Sequence, residues 1–288
     1  MQQGPLPVTV VIPYFSAPRR VFDAVRSALR QSHPVEMVMV LSDGDTEVPA
    51  ERLRRLDERR VFVHTLPANR GTYFAREVAR RALGDGYVAY LDADDEVEDE
   101  WIAQLMRSAE DNDGVAFCAA RIIRSVGPLS WTVKTRSVKP HRAKQERAWQ
   151  FAFHTNLYRS DRIAAVGGFD PSFRIGYDTA FVSLVAQSGP FGVVSEPLYR
   201  CREHDYLSGR RSLTADITTG YGSAARDEAS ERLQAIYRAC APLFATDPES
   251  ALKTLMSMRD PALEAEVRSR AEELREELVA WRRRRASR

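Results

Sequence analysis

Three observations predict an α/β chain built on a doubly wound, mostly parallel sheet with helices on both faces and a helical extension at its C-terminal end. Short apolar, β-branched runs alternate with helical patterns over the first ~110 residues, the signature of parallel strands joined by right-handed crossovers. Three of these runs end in polar or turn-forming tips, Pro13-Tyr14-Phe15, Ser42-Asp43-Gly44 and Asp92-Ala93-Asp94. Beyond Gly222 the pattern turns helical and charged, with one apolar seam. Ligands of doubly wound sheets bind past the carboxyl ends of the strands, so the three tips predict a single crevice.

The elements follow in order. Val8 to Ile12 is a β-branched run ended by Pro13, and Pro18 opens a segment with Val21, Phe22, Val25 and Leu29 at helical spacing. After Pro34 the run Val35 to Leu41 closes on the turn-forming Ser42-Asp43-Gly44-Asp45. A charged helix is expected from about Pro49 to Glu58, a strand at Val61 to Val63, a loop at Leu66 to Asn69, and a helix from Thr72 to Leu83. Tyr87 to Leu91 reads as a buried strand bounded by Gly84 and Gly86, and it delivers four acids within five residues: Asp92, Asp94, Asp95 and Glu96. Asp99 is a candidate N-cap for the helix carrying Trp101, Ile102, Leu105 and Met106.

Past Gly114 the pattern predicts antiparallel pairing of Val115 to Ile123 with Ser130 to Thr135 around Gly127-Pro128. The basic stretch from Lys134 to Arg147 reads either as a solvated loop or as a lid closing on an anionic substrate. Phe151 to Tyr158 is a further expected strand, and Ser160 is a candidate N-cap for a short helix ending at Gly167-Gly168. Gly176-Tyr177-Asp178 opens an apolar helix that runs to about Gln187, and Phe191 to Arg202 supply a last strand pair. In the extension, Leu263, Val267, Ala271, Leu274, Leu278 and Trp281 recur at spacings of four and three. That seam predicts packing on the chain's own domain or on a second subunit as a homodimer. The basic end, Arg282 to Arg285, leaves peripheral contact with an anionic membrane as the alternative.

Composition excludes several classes. The 288 residues are 44% hydrophobic and 28% charged, ordinary for a globular chain. Their net charge of +2 balances 42 basic against 40 acidic residues, so no global field collects nucleic acid. Cys118, Cys201 and Cys240 are far apart and form no C-x-x-C, which predicts free thiols in a reducing cytoplasm rather than zinc or a disulfide framework. There is no leader-like N-terminus and no apolar run near the ~20 residues a spanning helix needs. No G-x-G-x-x-G follows the first strand and no P-loop motif occurs, so a nucleotide must be held by another device. The acidic tip supplies one: carboxylates crowded at a strand end repel one another until a hard cation such as Mn2+ or Mg2+ neutralises them, and such ions keep coordination sites for phosphate.

In this order the motifs resemble the inverting glycosyltransferases of family 2, over roughly residues 8 to 210. The resemblance rests on Val10-Val11-Ile12-Pro13-Tyr14-Phe15, Ser42-Asp43-Gly44, Asn69-Arg70-Gly71 with Ala75-Arg76, and Leu91-Asp92-Ala93-Asp94-Asp95 as the D-x-D. It continues through Gly168-Phe169-Asp170, Gly176-Tyr177-Asp178 and the closing R-x-H-x-x-x-S from Arg202 to Ser208. It implies a GT-A fold with a Rossmann-like sheet. Residues 1–112 would form the nucleotide-sugar-binding half, 113–215 the acceptor-binding half, and 216–288 the helical extension.

By that resemblance Pro13, Tyr14 and Phe15 would line the base pocket, Asp43 would meet the base or ribose edge, and Asn69, Gly71 and Arg76 would hold the nucleotide side. Asp92 and Ala93 would contact the nucleotide-sugar, Asp94 would ligate the metal, and His204 would complete the metal or diphosphate contacts. Asp178 would be the general base, with Tyr177, Arg202 and Ser208 on the acceptor or lid side. Three positions depart from the family pattern: Ser42 precedes Asp43 where paired acids are common, Tyr177 replaces the usual Glu before the catalytic Asp, and Glu77 follows Ala75-Arg76 in place of Asn. The implied activity is metal-dependent transfer of a sugar, UDP-linked by expectation, to a hydroxyl of a small molecule, glycan or lipid carrier. Two rivals stand beside it: an inactive GT-A partner subunit that keeps only nucleotide affinity, and a nucleotidyltransferase that attacks phosphorus.

Overall fold

The computed structural model describes residues 6–126, 129–137, 156–174, 176–202, 231–236, 238–240, 243–244 and 246–287. The chain opens with β1 (Val8–Tyr14), α1 (Val21–Leu29), β2 (Met37–Ser42), α2 (Ala50–Arg54), β3 (Val61–Thr65), α3 (Thr72–Leu83) and β4 (Tyr87–Tyr90). β1, β2, β3 and β4 are mutually parallel, paired β3-β2-β1-β4. Both faces of these strands are covered. Val38 and Val40 pack toward α1 and a later helix, while Met37, Met39 and Leu41 pack toward α3, and that is why the runs are apolar at every position.

After β4 come β5 (Glu96–Val97), α4 (Trp101–Glu110), β6 (Val115–Val126), β7 (Leu129–Arg136), β8 (Leu157–Arg159), α5 (Ser160–Ala165), α6 (Tyr177–Gln187) and β9 (Gly192–Arg202). β8 joins the sheet antiparallel between β4 and β6, β9 runs parallel to β6, and β5 pairs antiparallel with β9. Among the described residues this makes one sheet, β3-β2-β1-β4-β8-β6-β9-β5, with β7 alongside β6. The β6–β7 pairing is the antiparallel hairpin expected around Gly127-Pro128.

Several expected details differ. The last strand pair is one continuous strand, β9, whose second partner is the short β5 inside the acidic run; Val97 lies opposite Tyr199. Asp99 does not cap α4, whose N-cap is Glu100, because its carboxylate instead accepts from Arg30 Nε at 3.4 Å. Ser160 is the first residue of α5 rather than its cap, and its hydroxyl donates to the Gly86 carbonyl at 3.0 Å. The charged helix α2 is shorter than its pattern, ending at Arg54.

The extension contributes α7 (Pro248–Ser257) and α8 (Pro261–Ala286). Each begins with Asp before Pro, and the Asp carboxylate accepts a backbone N–H of the first turn. The seam is buried at Val267, Ala271, Leu274 and Leu278, in one core with α3 and α6, and the Trp281 ring meets Phe62 edge-on at 5.6 Å. Burying a Val or Leu side chain stabilises by about 1.5–3 kcal/mol, and the chain's own α3 face takes this stripe. Among the described residues no helix is long and apolar enough to cross a membrane.

Candidate active site

The parallel sheet brings the β1, β2 and β4 tips side by side. At the β1 tip Pro13 and Tyr14 are buried while Phe15 is 56% exposed, a large ring left open at the mouth of the crevice. The tip is fixed to its neighbour, because Ser16 N–H donates to Asp45 Oδ2 at 2.9 Å. Burial and the Asp45 charge push the Tyr14 phenol up to about 12.

At the β2 tip Asp43 is nearly buried and its two oxygens accept the backbone N–H groups of Arg70 and Gly71 at 2.8 and 2.7 Å. Burial raises the carboxyl above its usual range, with those N–H groups and the nearby arginines working the other way. Asp43 therefore shapes the loop that enters α3. Gly71 begins that helix at φ 101°, a left-handed conformation that disfavours any side chain. Asn69 on the same loop is exposed and accepts from Arg174 Nη1 at 3.0 Å.

The β4 tip carries the D-x-D. Ala93 is buried, and Asp92 and Asp94 are partly exposed. Arg76, 1% exposed on α3, donates from Nη2 to Asp92 Oδ1 at 2.5 Å, and its guanidinium lies 5.8 Å from the Tyr73, Tyr90 and Phe169 ring centres. Arg76, expected to hold the nucleotide side, is enclosed by these aromatic rings with its Nη2 on the Asp92 carboxylate.

Asp178 stands in the first turn of α6, behind Gly176 at φ 81°. The Tyr73 hydroxyl donates to its Oδ1 at 3.0 Å and accepts its backbone N–H at 3.3 Å. Tyr73 and Arg76 are three residues apart and so share one face of α3. Asp178 and Asp92, distant in sequence, are thereby brought to that common face.

Tyr177, expected on the acceptor or lid side, is fully buried, its ring 5.0 Å from Phe173 and 6.0 Å from Tyr73. It is a core residue, because its ring packs into the aromatic cluster between α3 and the start of α6. Arg202, expected there too, turns its guanidinium to Glu96 on the neighbouring β5, and its N–H donates to Asp95 Oδ1 at 2.7 Å. His204 and Ser208 lie outside the described residues, as does most of the basic stretch from Lys134 to Arg147. Among the described residues no three His, Cys, Asp or Glu side chains are grouped to hold a metal ion, so Asp94 is the one described member of the expected pair.

Sequence reasoning gave no role to three residues. Asp95 is 5% exposed and accepts from the Tyr199 hydroxyl at 2.6 Å as well as from Arg202, which ties the D-x-D loop to the end of β9. Burial and then the Asp94 and Asp92 charges push its carboxyl well above the usual range. Tyr199 also accepts the Asp92 N–H at 3.3 Å. Tyr73 was hidden because an aromatic residue at a helical apolar position reads as core; its three-residue spacing from Arg76 was the available signal.

The third departure has a structural account. Glu77 is fully buried and accepts from Arg80 and Arg81 at 2.6 to 2.8 Å, and from Phe169 N–H at 3.0 Å. Arg259 continues the network, donating to the Gly168 carbonyl at 3.2 Å and to Glu264 of α8 at 2.9 Å. Glu77 thus joins α3, the segment before α6 and the extension.

A mostly parallel sheet with helices on both faces and an acidic tip at the end of β4 is the architecture of the GT-A class of nucleotide-sugar-binding folds. Among solved structures, S. aureus TarS residues 1–349 in complex with UDP-GlcNAc superimposes with TM-score 0.58 at 15% identity, covering 94% of this chain and 89% of that one. The same TarS fragment with UDP gives TM-score 0.56 at 13% identity over the same shares. The model of glycosyl transferase family 2 matches residues 9–170, and the chain belongs to that family. Curated relatives include TuaG of Bacillus subtilis (strain 168), a glycosyltransferase named for teichuronic acid biosynthesis, at 33% identity over 31% of this chain and 36% of its own length. YibD of Escherichia coli (strain K12), an uncharacterized glycosyltransferase, is 31% identical over 54% of this chain and 49% of its own. The chain spans less than two thirds of either relative.

Proposed function

We propose that this chain is an inverting glycosyltransferase that moves a sugar from a nucleoside diphosphate donor, UDP-linked, to a hydroxyl acceptor on a small molecule, glycan or lipid carrier. One observation carries the reading: the shared α3 face on which Tyr73 holds Asp178 and Arg76 holds Asp92. It brings a carboxylate suited to take a proton near a carboxylate pair suited to a metal and diphosphate. The UDP and UDP-GlcNAc complexes of the fold neighbour TarS support a UDP-linked donor.

The chemistry needs this division. A sugar hydroxyl is a weak nucleophile, so Asp178 takes its proton as it attacks the anomeric carbon from the face opposite the leaving group. Asp92 and Asp94 are partly exposed hard oxygen donors past the carboxyl end of β4, which fits Mn2+ or Mg2+ bound by one or two carboxylates and the substrate's phosphates. Such a cation supplies charge stabilisation to the departing diphosphate. Arg76 fixes the Asp92 carboxylate, and Phe15 offers its exposed ring to the base. The free thiols of Cys118, Cys201 and Cys240 suit a reducing, cytoplasmic setting.

Calorimetric titration of UDP, GDP, dTDP and CDP, each with and without Mn2+, tests the donor site in the wild type and in Asp94→Ala. We expect one nucleotide to bind with the metal, and its affinity to fall ~10-fold or more in Asp94→Ala or with chelator. No binding of any nucleotide to the wild type would overturn the reading.

A further inference from the structure

Tyr73 does more at the site than fill the core. Its ring is 4% exposed and is held by Phe169 stacked at 6.2 Å, by Tyr177 edge-on at 6.0 Å and by the Arg76 guanidinium at 5.8 Å. From that fixed ring one hydroxyl grips Asp178 twice, at the carboxylate and at the backbone N–H. An acid in the first turn of a helix is ordinarily drawn toward that helix's own free N–H groups. Here a donor on another helix, the Tyr73 hydroxyl, also constrains its rotamer.

We propose that Tyr73 is the positioning residue of the Asp178 base, an assignment that rests on the reading of Asp178 above. The hydroxyl holds Oδ1 toward α3 and favours the ionised carboxylate that proton abstraction requires. Burial and the Asp178 charge hold the phenol itself well above its usual range, so it remains a donor throughout the working pH range.

Tyr73→Phe keeps the ring and removes the hydroxyl. The expected result is a fall in kcat of roughly 10- to 100-fold, since small misplacements of a reacting group are costly, with the donor KM and the thermal midpoint little changed. The acid limb of the kcat profile moves to higher pH. Wild-type kcat and an unmoved acid limb in Tyr73→Phe, beside an inactive Asp178→Asn, would overturn this assignment alone. Normal turnover in Asp178→Asn would remove the base and the positioning role together.

A separate feature lies outside the strand tips. Between α1 and α2 a cleft of about 530 Å³ is lined by Arg19, Arg26, Arg52 and Arg55 with Phe22 at its wall. The Arg52 and Arg26 guanidinium groups lie 4.9 and 5.8 Å from the Phe22 ring centre, a stacking that occupies their faces and leaves their N–H edges for a ligand. Among the described residues only Arg26 of these four has a carboxylate partner, Asp23 at 3.6 Å. Arg55 also lines the adjoining cleft, where Arg54, Arg59, Arg284 and Arg285 stand beside Glu51, Glu58 and Glu277, so the carboxylate-poor face is the α1–α2 side.

In a chain of net charge +2, the four arginines lining the α1–α2 cleft are a local excess of guanidinium. We infer that the α1–α2 cleft binds a phosphoryl group, which guanidinium recognises in bidentate fashion, from a phospholipid headgroup or a soluble phosphate. The test compares wild type with Arg52→Ala/Arg55→Ala, using inorganic pyrophosphate in EDTA by calorimetry and phosphatidylglycerol vesicles by sedimentation. Binding of either probe that falls ~10-fold or more in the variant and weakens with salt supports the site, and the probe that binds identifies the source. Absence of both, or equal binding by the variant, would overturn it.

Discussion

Asp178→Asn is expected to lower kcat by about 10² to 10⁴, the usual contribution of a general base, while nucleotide affinity stays near wild type. The amide has the shape of the carboxylate and its oxygen can still accept from Tyr73 Oη, so the fold is retained. What it lacks is basicity, and the acceptor hydroxyl then keeps its proton as it attacks. Donor binding persists because Asp92 and Asp94 sit on the β4 tip, held by Arg76 and by the Asp95–Tyr199 pair rather than by Asp178. Single-turnover transfer, measured beside nucleotide calorimetry, separates the two effects. Transfer at the wild-type rate would place the base elsewhere.

The largest effect on stability is expected from Glu77→Ala. In the wild type the Glu77 carboxylate is fully buried against Arg80 and Arg81, with Arg259 adjoining, and it accepts the Phe169 N–H. Removing one partner of a buried ionic network leaves the others uncompensated, at a cost of about 3–5 kcal/mol. At roughly 2–4 °C per kcal/mol for a chain of this size, the melting temperature falls by about 6–20 °C. Urea unfolding monitored by circular dichroism measures it, and a loss under about 1 kcal/mol would show that the network is not structural.

The pH dependence has a definite sign. Burial works to raise the Glu77 carboxyl, but Arg80, Arg81 and Arg259 outweigh it and hold it below the usual range. A depressed folded-state value means the stabilisation is present above the ordinary glutamate range and is lost as pH falls through the folded value. The wild type and Glu77→Ala should therefore differ most near neutrality and converge below about pH 4.

The sheet was legible because its code is local. Strands buried on both faces must be apolar at every position, and tips that end them must turn, so Val8 to Ile12, Val35 to Leu41 and Tyr87 to Leu91 announced both the parallel core and its ligand edge. The helix from Thr72 to Leu83 matched its apolar spacing at both ends. β5 was not legible, because two residues inside an acidic run carry no periodicity and are a strand only by pairing with β9. Tyr177 and Arg202 were placed by neighbours that lie far along the chain, the aromatic core in one case and β5 in the other.

The sequence by itself determined the class of fold, the alternation of strands and helices in its first half, and the carboxylates at the tips, since periodicity and turn chemistry act between near neighbours. Tertiary structure alone decided the partners: Asp43 for the loop into α3, Arg76 for Asp92, Tyr73 for Asp178, Glu77 for the arginines that lock α8 in place. Side chains as far apart in sequence as Tyr73 and Asp178 or Arg81 and Glu264 meet only when helices pack across the sheet, and no local pattern encodes which polar atom a buried carboxylate will face.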